Sequence, residues 1–337
     1  MSPELIAETD DLIRRMPSRT PRSLADPRVW LAAQAGLLGA LAQAARSLGR
    51  LEATLAVLSA GEADGARQRL ALLEVEAMLW AQGLVIGRDE IGRDLLDARG
   101  GSDPEAIRLA RWAIRRLEGQ GGLTDLSSFL GLHRRTTSDE VFDTGMELRP
   151  QGVEFDAAAG EFLETIGAFG ELHPLLRGPA VLAVWRMAEL SPPGQVVEPA
   201  VWSARHMAAG AEGLSFIPLG RHGRRVWTGF GSPEDRLAAH LIAVHEGAQE
   251  ARTLILSIRT WCERARVATA GIKGDNAARV VAVLASRPLV SAMELEAQAV
   301  ISRPTAERML KRLTDLGLTR EVTGHRRFRL WTIAGRG

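Results

Sequence analysis

Residues 275–334 set out apolar periods and breaks in an order that few folds accommodate. In DNAARVVAVLASRP, Ala277, Val280, Val281 and Leu284 share one helical face. Ser291 precedes Glu294 by three positions, a capping box in which hydroxyl and carboxylate serve opposite backbone N–H groups. A short second helix should therefore run to about Val300. After a tight turn, Ser302 caps a third helix with Pro304 in its first turn. Its apolar stripe is Ala306, Met309, Leu310, Leu313 and Leu316, with Arg308, Lys311 and Arg312 opposite and Gly317 as its stop. LTREVTGHRRFRLWTI then reads as two strands joined at Thr323-Gly324-His325, with Arg326, Arg327 and Arg329 on the hairpin.

Three short helices and a basic hairpin resemble a winged helix-turn-helix, whose third helix suits a major groove. From Ser286 to Gly337 there are ten Arg or Lys against five Asp or Glu, while the whole chain carries a net charge of only +1. Positive charge thus gathers where the pattern would meet a polyanion. The expected DNA-contacting residues are Ser302, Arg303, Thr305, Arg308, Lys311, Arg312, His325, Arg326, Arg327 and Arg329. Arg303, Thr305 and Arg308, near the helix start, are the candidates for reading base edges; Lys311, Arg312 and the wing arginines suit phosphate. A solvated basic face, or a winged helix that contacts protein, would give the same text.

The chain has 337 residues, enough for two or three domains. Apolar residues recur at helical spacing through most of it. Helices are expected near 3–16, 28–59, 67–85, 88–98, 104–118, 124–132, 155–168, 173–190, 198–210, 233–247 and 249–268, with a long loop at 134–154. LSFIPLGRHGRRVWTGF, residues 214–230, places two β-prone runs around GRHGR and predicts a hairpin. The expected fold is mostly α, a multi-helix body with a small β-hairpin followed by a winged helix. The expected divisions are an N-terminal helical region at 1–133, a helical domain at 134–270 and the DNA-binding module at 275–337.

Several chemistries lack their residues. There is one cysteine, Cys262, so no disulfide framework or multi-cysteine metal site is expected, and a reducing, cytoplasmic compartment fits. There is no tyrosine. The acidic, amphipathic start is not that of a signal peptide, and the uncharged run 29–45 is too rich in Ala and Gly for a membrane span. His240 and His245 lie five apart, about 140° around a helix, where paired zinc ligands want four. Glu74 and Glu76 fall on different helix faces. GRHGRR could hold an anion but reads better as a solvated tip. No metal or cofactor is expected.

ELHPLLRGPAVLAVWR, residues 171–186, resembles the motif of Fic-type proteins: His-Pro-Phe, any residue, Asp or Glu, then Gly-Asn-Gly-Arg. The resemblance implies a helical fold and nucleotidyl transfer, with the His taking a proton from a hydroxyl, the carboxylate holding Mg²⁺ and the Gly-Asn-Gly backbone binding phosphate. This chain keeps His173, Pro174 and Gly178. Leu175 replaces the Phe, Arg177 stands at the carboxylate position, and Pro179, Ala180 and Val181 replace Asn, Gly and Arg. The Fic-like domain is therefore expected to be degenerate, and His173 to be a structural residue at a loop–helix junction.

A second resemblance spans most of the chain. LLEVEAMLWAQGL, ELHPLLRGPAVLAVWRMAEL, LSFIPLGRHG, EDRLAAHL and RPTAERMLKRLTDLGLTREVTG are similar to an uncharacterised bacterial family of plant-symbiont type. In that family a domain of unknown function precedes a helix-turn-helix DNA-binding domain. With the C-terminal pattern, this resemblance implies a transcriptional regulator acting on double-stranded DNA; a homodimer is expected because one module makes few contacts and two-fold dimers bind paired half-sites, with a small-molecule or protein effector and no membrane partner. The alternatives are a divergent nucleotidyl or phosphoryl transferase using His173, and an antitoxin-like interaction scaffold.

Overall fold

A computed structural model of the chain describes residues 22–96, 103–132, 149–323 and 329–335. Among these, no helix is long and apolar enough to cross a membrane. The body begins with α1 (Pro27–Ala35) and α2 (Leu38–Ala56), which divide the single helix expected at 28–59. The break falls at Gly36 and Leu37, where Leu37 leaves helical geometry (φ −115°, ψ 14°). α3 (Ala60–Ala81) starts earlier than the periodicity predicts. Its signal was the capping box of Ser59 and Glu62, with the Ser59 hydroxyl accepting from Glu62 N–H and the carboxylate accepting from Ser59 N–H. α4 (Arg88–Leu95), α5 (Pro104–Leu117), α6 (Leu126–Leu130) and α7 (Val153–Gly167) follow.

α8 (Arg177–Met187) is buried continuously from Gly178 to Trp185, as befits a helix apolar on every side. It is packed by α7 and by α9 (Val197–Met207), where the Phe162 ring meets Trp185 and Trp202 edge-on at 5.3 and 5.1 Å.

Residues 214–230 correct the sequence reading. They hold no strand; Gly220–Gly223 is a 3₁₀ turn and α10 (Arg224–Thr228) is a helix. The alternating β-prone residues are instead core anchors: Phe216, Ile217, Leu219, Val226 and Trp227 are all buried. The two helices expected at 233–268 are one, α11 (Pro233–Thr269), 37 residues capped by Ser232 and Asp235. At 1.5 Å per residue it is about 55 Å long.

The C-terminal pattern folds largely as the sequence implies. α12 (Asn276–Ser286), β1 (Val290–Ser291), α13 (Ala292–Ala299), α14 (Arg303–Asp315), β2 (Thr319–Glu321) and β3 (Leu330–Ile333) occur in that order. The sheet order is β1-β3-β2, all antiparallel, with Val290 opposite Trp331 and Thr319 opposite Ile333. The Ser291–Glu294 capping box is formed. Val300 makes the turn between α13 and α14 in the left-handed region (φ 51°), unusual for a β-branched residue.

Two hydrophobic cores result. One lies among α1–α11, and the other joins α12–α14 and the sheet to the last third of α11, through Ile258, Trp261, Cys262 and Ala265. The Trp261 indole N–H donates to the Leu318 carbonyl at 2.6 Å. The two regions meet again at α3. The buried Arg69 donates to the carbonyls of Leu284, Ala285 and Arg287 at the end of α12, and Gly65 lets the backbones approach.

Candidate functional site

The His173 loop is held at both sides. His173 N–H donates to the Gln34 side chain at 2.9 Å, and its Nδ1 accepts from Leu175 N–H at 3.2 Å. The imidazole itself is exposed, and burial of part of its surface together with Arg177 lowers its pKa. So the residue is structural in its backbone and Nδ1 bonds, but its ring is not enclosed.

The residues after it do not fit Mg²⁺ or a phosphate. Arg177 turns back on its own loop, donating from Nε to Leu172 O at 3.0 Å and from an η nitrogen to Gly170 O at 2.8 Å. A guanidinium therefore stands where a metal would need a carboxylate. Gly178, Pro179, Ala180 and Val181 are buried, and Pro179 has no N–H to offer. A Cβ at Gly178 would lie 2.7 Å from Met207 Sδ and 3.1 Å from His240 Cε1, so side chains already fill the helix start. Among the described residues, no group of three His, Cys, Asp or Glu is placed to hold a metal ion.

His240 and His245, considered together in the sequence, do different things. His245 shares bonds with Gln43, Ser47 and Gln249. His240 is fully buried, with Nε2 2.7 Å from Leu175 O, and so braces the motif loop from α11. The carbonyl requires a proton on Nε2, which the neutral ring supplies. Burial pushes its pKa down from 6.5 to about 4. A depressed base contributes stability that is present above its unfolded pKa and is lost as pH falls toward the folded one. Between pH 6.5 and 4 the wild type should therefore lose of order 3 kcal/mol relative to a His240→Gln variant, read from urea midpoints. Parallel midpoint curves would remove His240 from the acid response.

The DNA candidates cluster on α14 and the wing. Ser302, Arg303, Arg308, Lys311, Arg312 and Arg329 are exposed, and Thr305 is half-buried. His325, Arg326 and Arg327 lie outside the described residues. Ser302 sits at the helix cap without a side-chain cap bond; its hydroxyl meets that of Thr305 at 2.9 Å, and Arg308 donates to the same Thr305 oxygen at 3.2 Å. Arg303 pairs with Glu307 and Lys311 with Asp315, each at i,i+4. Exposed pairs of this kind are worth about 0.3–0.5 kcal/mol, so they leave the cations available to a stronger anion. The opposite face of α14 is anchored through buried Ala306, Met309, Leu310 and Leu313. On the wing, Arg329 pairs with Glu321, and its guanidinium lies 5.0 Å from the Trp331 ring centre.

The fold has a solved counterpart. The structure is similar to that of a Fic family protein from Desulfovibrio desulfuricans G20, with a TM-score of 0.50 over 89% of this chain and 96% of that one. Sequence identity is 16%, so the likeness concerns the fold alone. No family model matches the sequence, and no curated protein matches it. In this structure His173–Val181 forms the turn into α8 and the first turn of that helix.

Sequence reasoning named Glu74 but assigned it no partner. It is 1% exposed and accepts from the N–H groups of Leu219 and Gly220. Burial and the nearby Glu250 push its pKa from 4.5 up to about 7. The available signal was a carboxylate on the apolar face of LLEVEAMLW, but its partners are backbone groups 145 residues away.

Proposed function

We propose that this protein is a cytoplasmic DNA-binding transcriptional regulator, acting as a homodimer on paired half-sites, with its Fic-like body serving dimerisation or the sensing of an effector. The observation that carries the reading is α14: Arg303, Arg308, Lys311 and Arg312 are exposed on a helix whose other face is locked into its own core. A helix so held offers cations to phosphate without reorganising. Arg308 and Thr305 stand together near its start, where base edges would be read.

The test is binding to random duplex DNA across a salt series, beside an Arg308/Lys311/Arg312→Ala variant. Each phosphate contact contributes about −0.9 to the slope of log affinity against log salt. The variant should flatten the slope by up to about 2.7 while its fold, read by circular dichroism, is unchanged. Equal slopes, or no binding by the wild type, would overturn the reading at this surface.

A further inference from the structure

A cavity of about 440 Å³ opens between α3, residues 85–88, residues 218–221 and α11. None of its residues belongs to the His173 loop or to the C-terminal module. Its volume is that of a small-molecule site. Leu70, Leu73, Ala77 and Ile86 form apolar walls, and Trp80 stands half-exposed at its mouth, with the Arg224 guanidinium 4.8 Å from the ring centre.

The ion pairs around it leave one buried carboxylate without a partner. Arg88 pairs with Glu76 at 2.9 Å, and both Arg221 and His222 approach Glu250, at 3.4 and 3.2 Å. Glu74 has no cation within ion-pair distance among the described residues. Its carboxylate takes N–H bonds from Leu219 and Gly220 at 3.0 and 2.6 Å, and oxygen lone pairs remain. A buried carboxylate without a counterion calls for a cation or a proton. Arg224 at the mouth could meet an anion at the rim, but it does not line the cavity; an anion inside would have to pull Arg88 or Arg221 from its carboxylate and would then sit beside Glu74.

We propose that this cavity binds a small aromatic cation, an amine or amidine whose charged group meets Glu74 and whose ring packs between Trp80 and the Leu70–Leu73 wall. The site stands independently of the DNA-binding reading, since neither uses the other's residues.

The test is calorimetric titration of the full chain with tryptamine, with neutral tryptophol and with anionic indole-3-propionate, at pH 6 and pH 8. Tryptamine should bind at least about tenfold more tightly than tryptophol, and indole-3-propionate should not bind. With a pKa near 7, the Glu74 carboxyl passes from about one-tenth to about nine-tenths ionised between those pH values, so tryptamine affinity should rise about tenfold. Glu74→Gln should erase both the amine preference and the pH effect. His222→Gln should keep both, which separates Glu74 from the imidazole facing Glu250. Should Glu74→Gln fail to fold, Trp80→Ala at the exposed mouth decides: severalfold weaker tryptamine binding supports the site, and unchanged binding overturns it. Absence of tryptamine binding at millimolar concentration, equal binding of all three probes, or full retention in a folded Glu74→Gln variant also overturns it.

Discussion

Replacing Arg69 with Met is expected to lower the unfolding free energy by about 3–5 kcal/mol, measured by urea denaturation. Arg69 is 7% exposed, and its pKa falls only to about 10, so it remains a cation at neutral pH. Its counter-charge is not a carboxylate. The guanidinium lies at the end of α12, donating to the carbonyls of Leu284, Ala285 and Arg287 at 2.5–2.8 Å and to Gly65 O in its own helix at 3.0 Å. Those are the carbonyls a helix leaves unpaired, at the end where the helix dipole favours positive charge. Met keeps much of the volume but leaves several buried acceptors without donors, each costing about 1–3 kcal/mol. Arg67, two positions away and more exposed, bonds among the described residues to Gly213 O and Asp64; its Ala variant should change stability by less than about 1 kcal/mol. A loss at Arg69 no larger than that at Arg67 would refute this account of the α3–α12 junction.

Gly247→Ala is expected to destabilise by about 2–4 kcal/mol, reversing the usual gain for this exchange inside a helix. An added Cβ would stand 2.3 Å from Pro218 O and 2.8 Å from Leu219 Cα, both backbone atoms. α11 or the 218–219 segment must then move, and Leu219 in that segment and Gly220 just after it donate the N–H groups that hold Glu74. Gly160 in α7 is the control. Nothing lies within 4 Å of its added Cβ, so Gly160→Ala should raise stability by about 0.5–1 kcal/mol. Thermal midpoints of the two variants should move in opposite directions, and a common direction would exclude the close approach at Gly247 as the cause.

The same glycine explains one limit of the sequence. The two helices expected at 233–247 and 249–268 meet at Gly247, a residue that costs helix stability in isolation. Tertiary contact reverses that sign: only glycine lets α11 continue past Pro218. Likewise the β-prone run 214–230 carries its buried side chains on an irregular segment and one short helix, a packing pattern that alternation alone does not separate from a strand. The C-terminal pattern was legible because its signals are local: a capping box, a glycine stop and an amphipathic stripe within a few residues of each other. The substitutions in the His173 motif were also legible one by one. What they do together was not, since Arg177 folds onto Leu172 and Gly170 while His240 reaches in from α11. The partners of Glu74 escaped for the same reason, its donors being remote in sequence.

α11 bears on how the molecule can be dissected. Its first two-thirds belong to the body and its last third to the module that carries α14. A fragment cut at the 271–275 turn would expose the surface that meets Trp261 and Cys262 and would leave the Leu318 carbonyl with Ala334 N–H as its remaining donor in place of two. Nor can the helix fray past Ile258 without opening the second core. The two halves therefore share one cooperative unit, and loss of order in either spreads through the helix to the other.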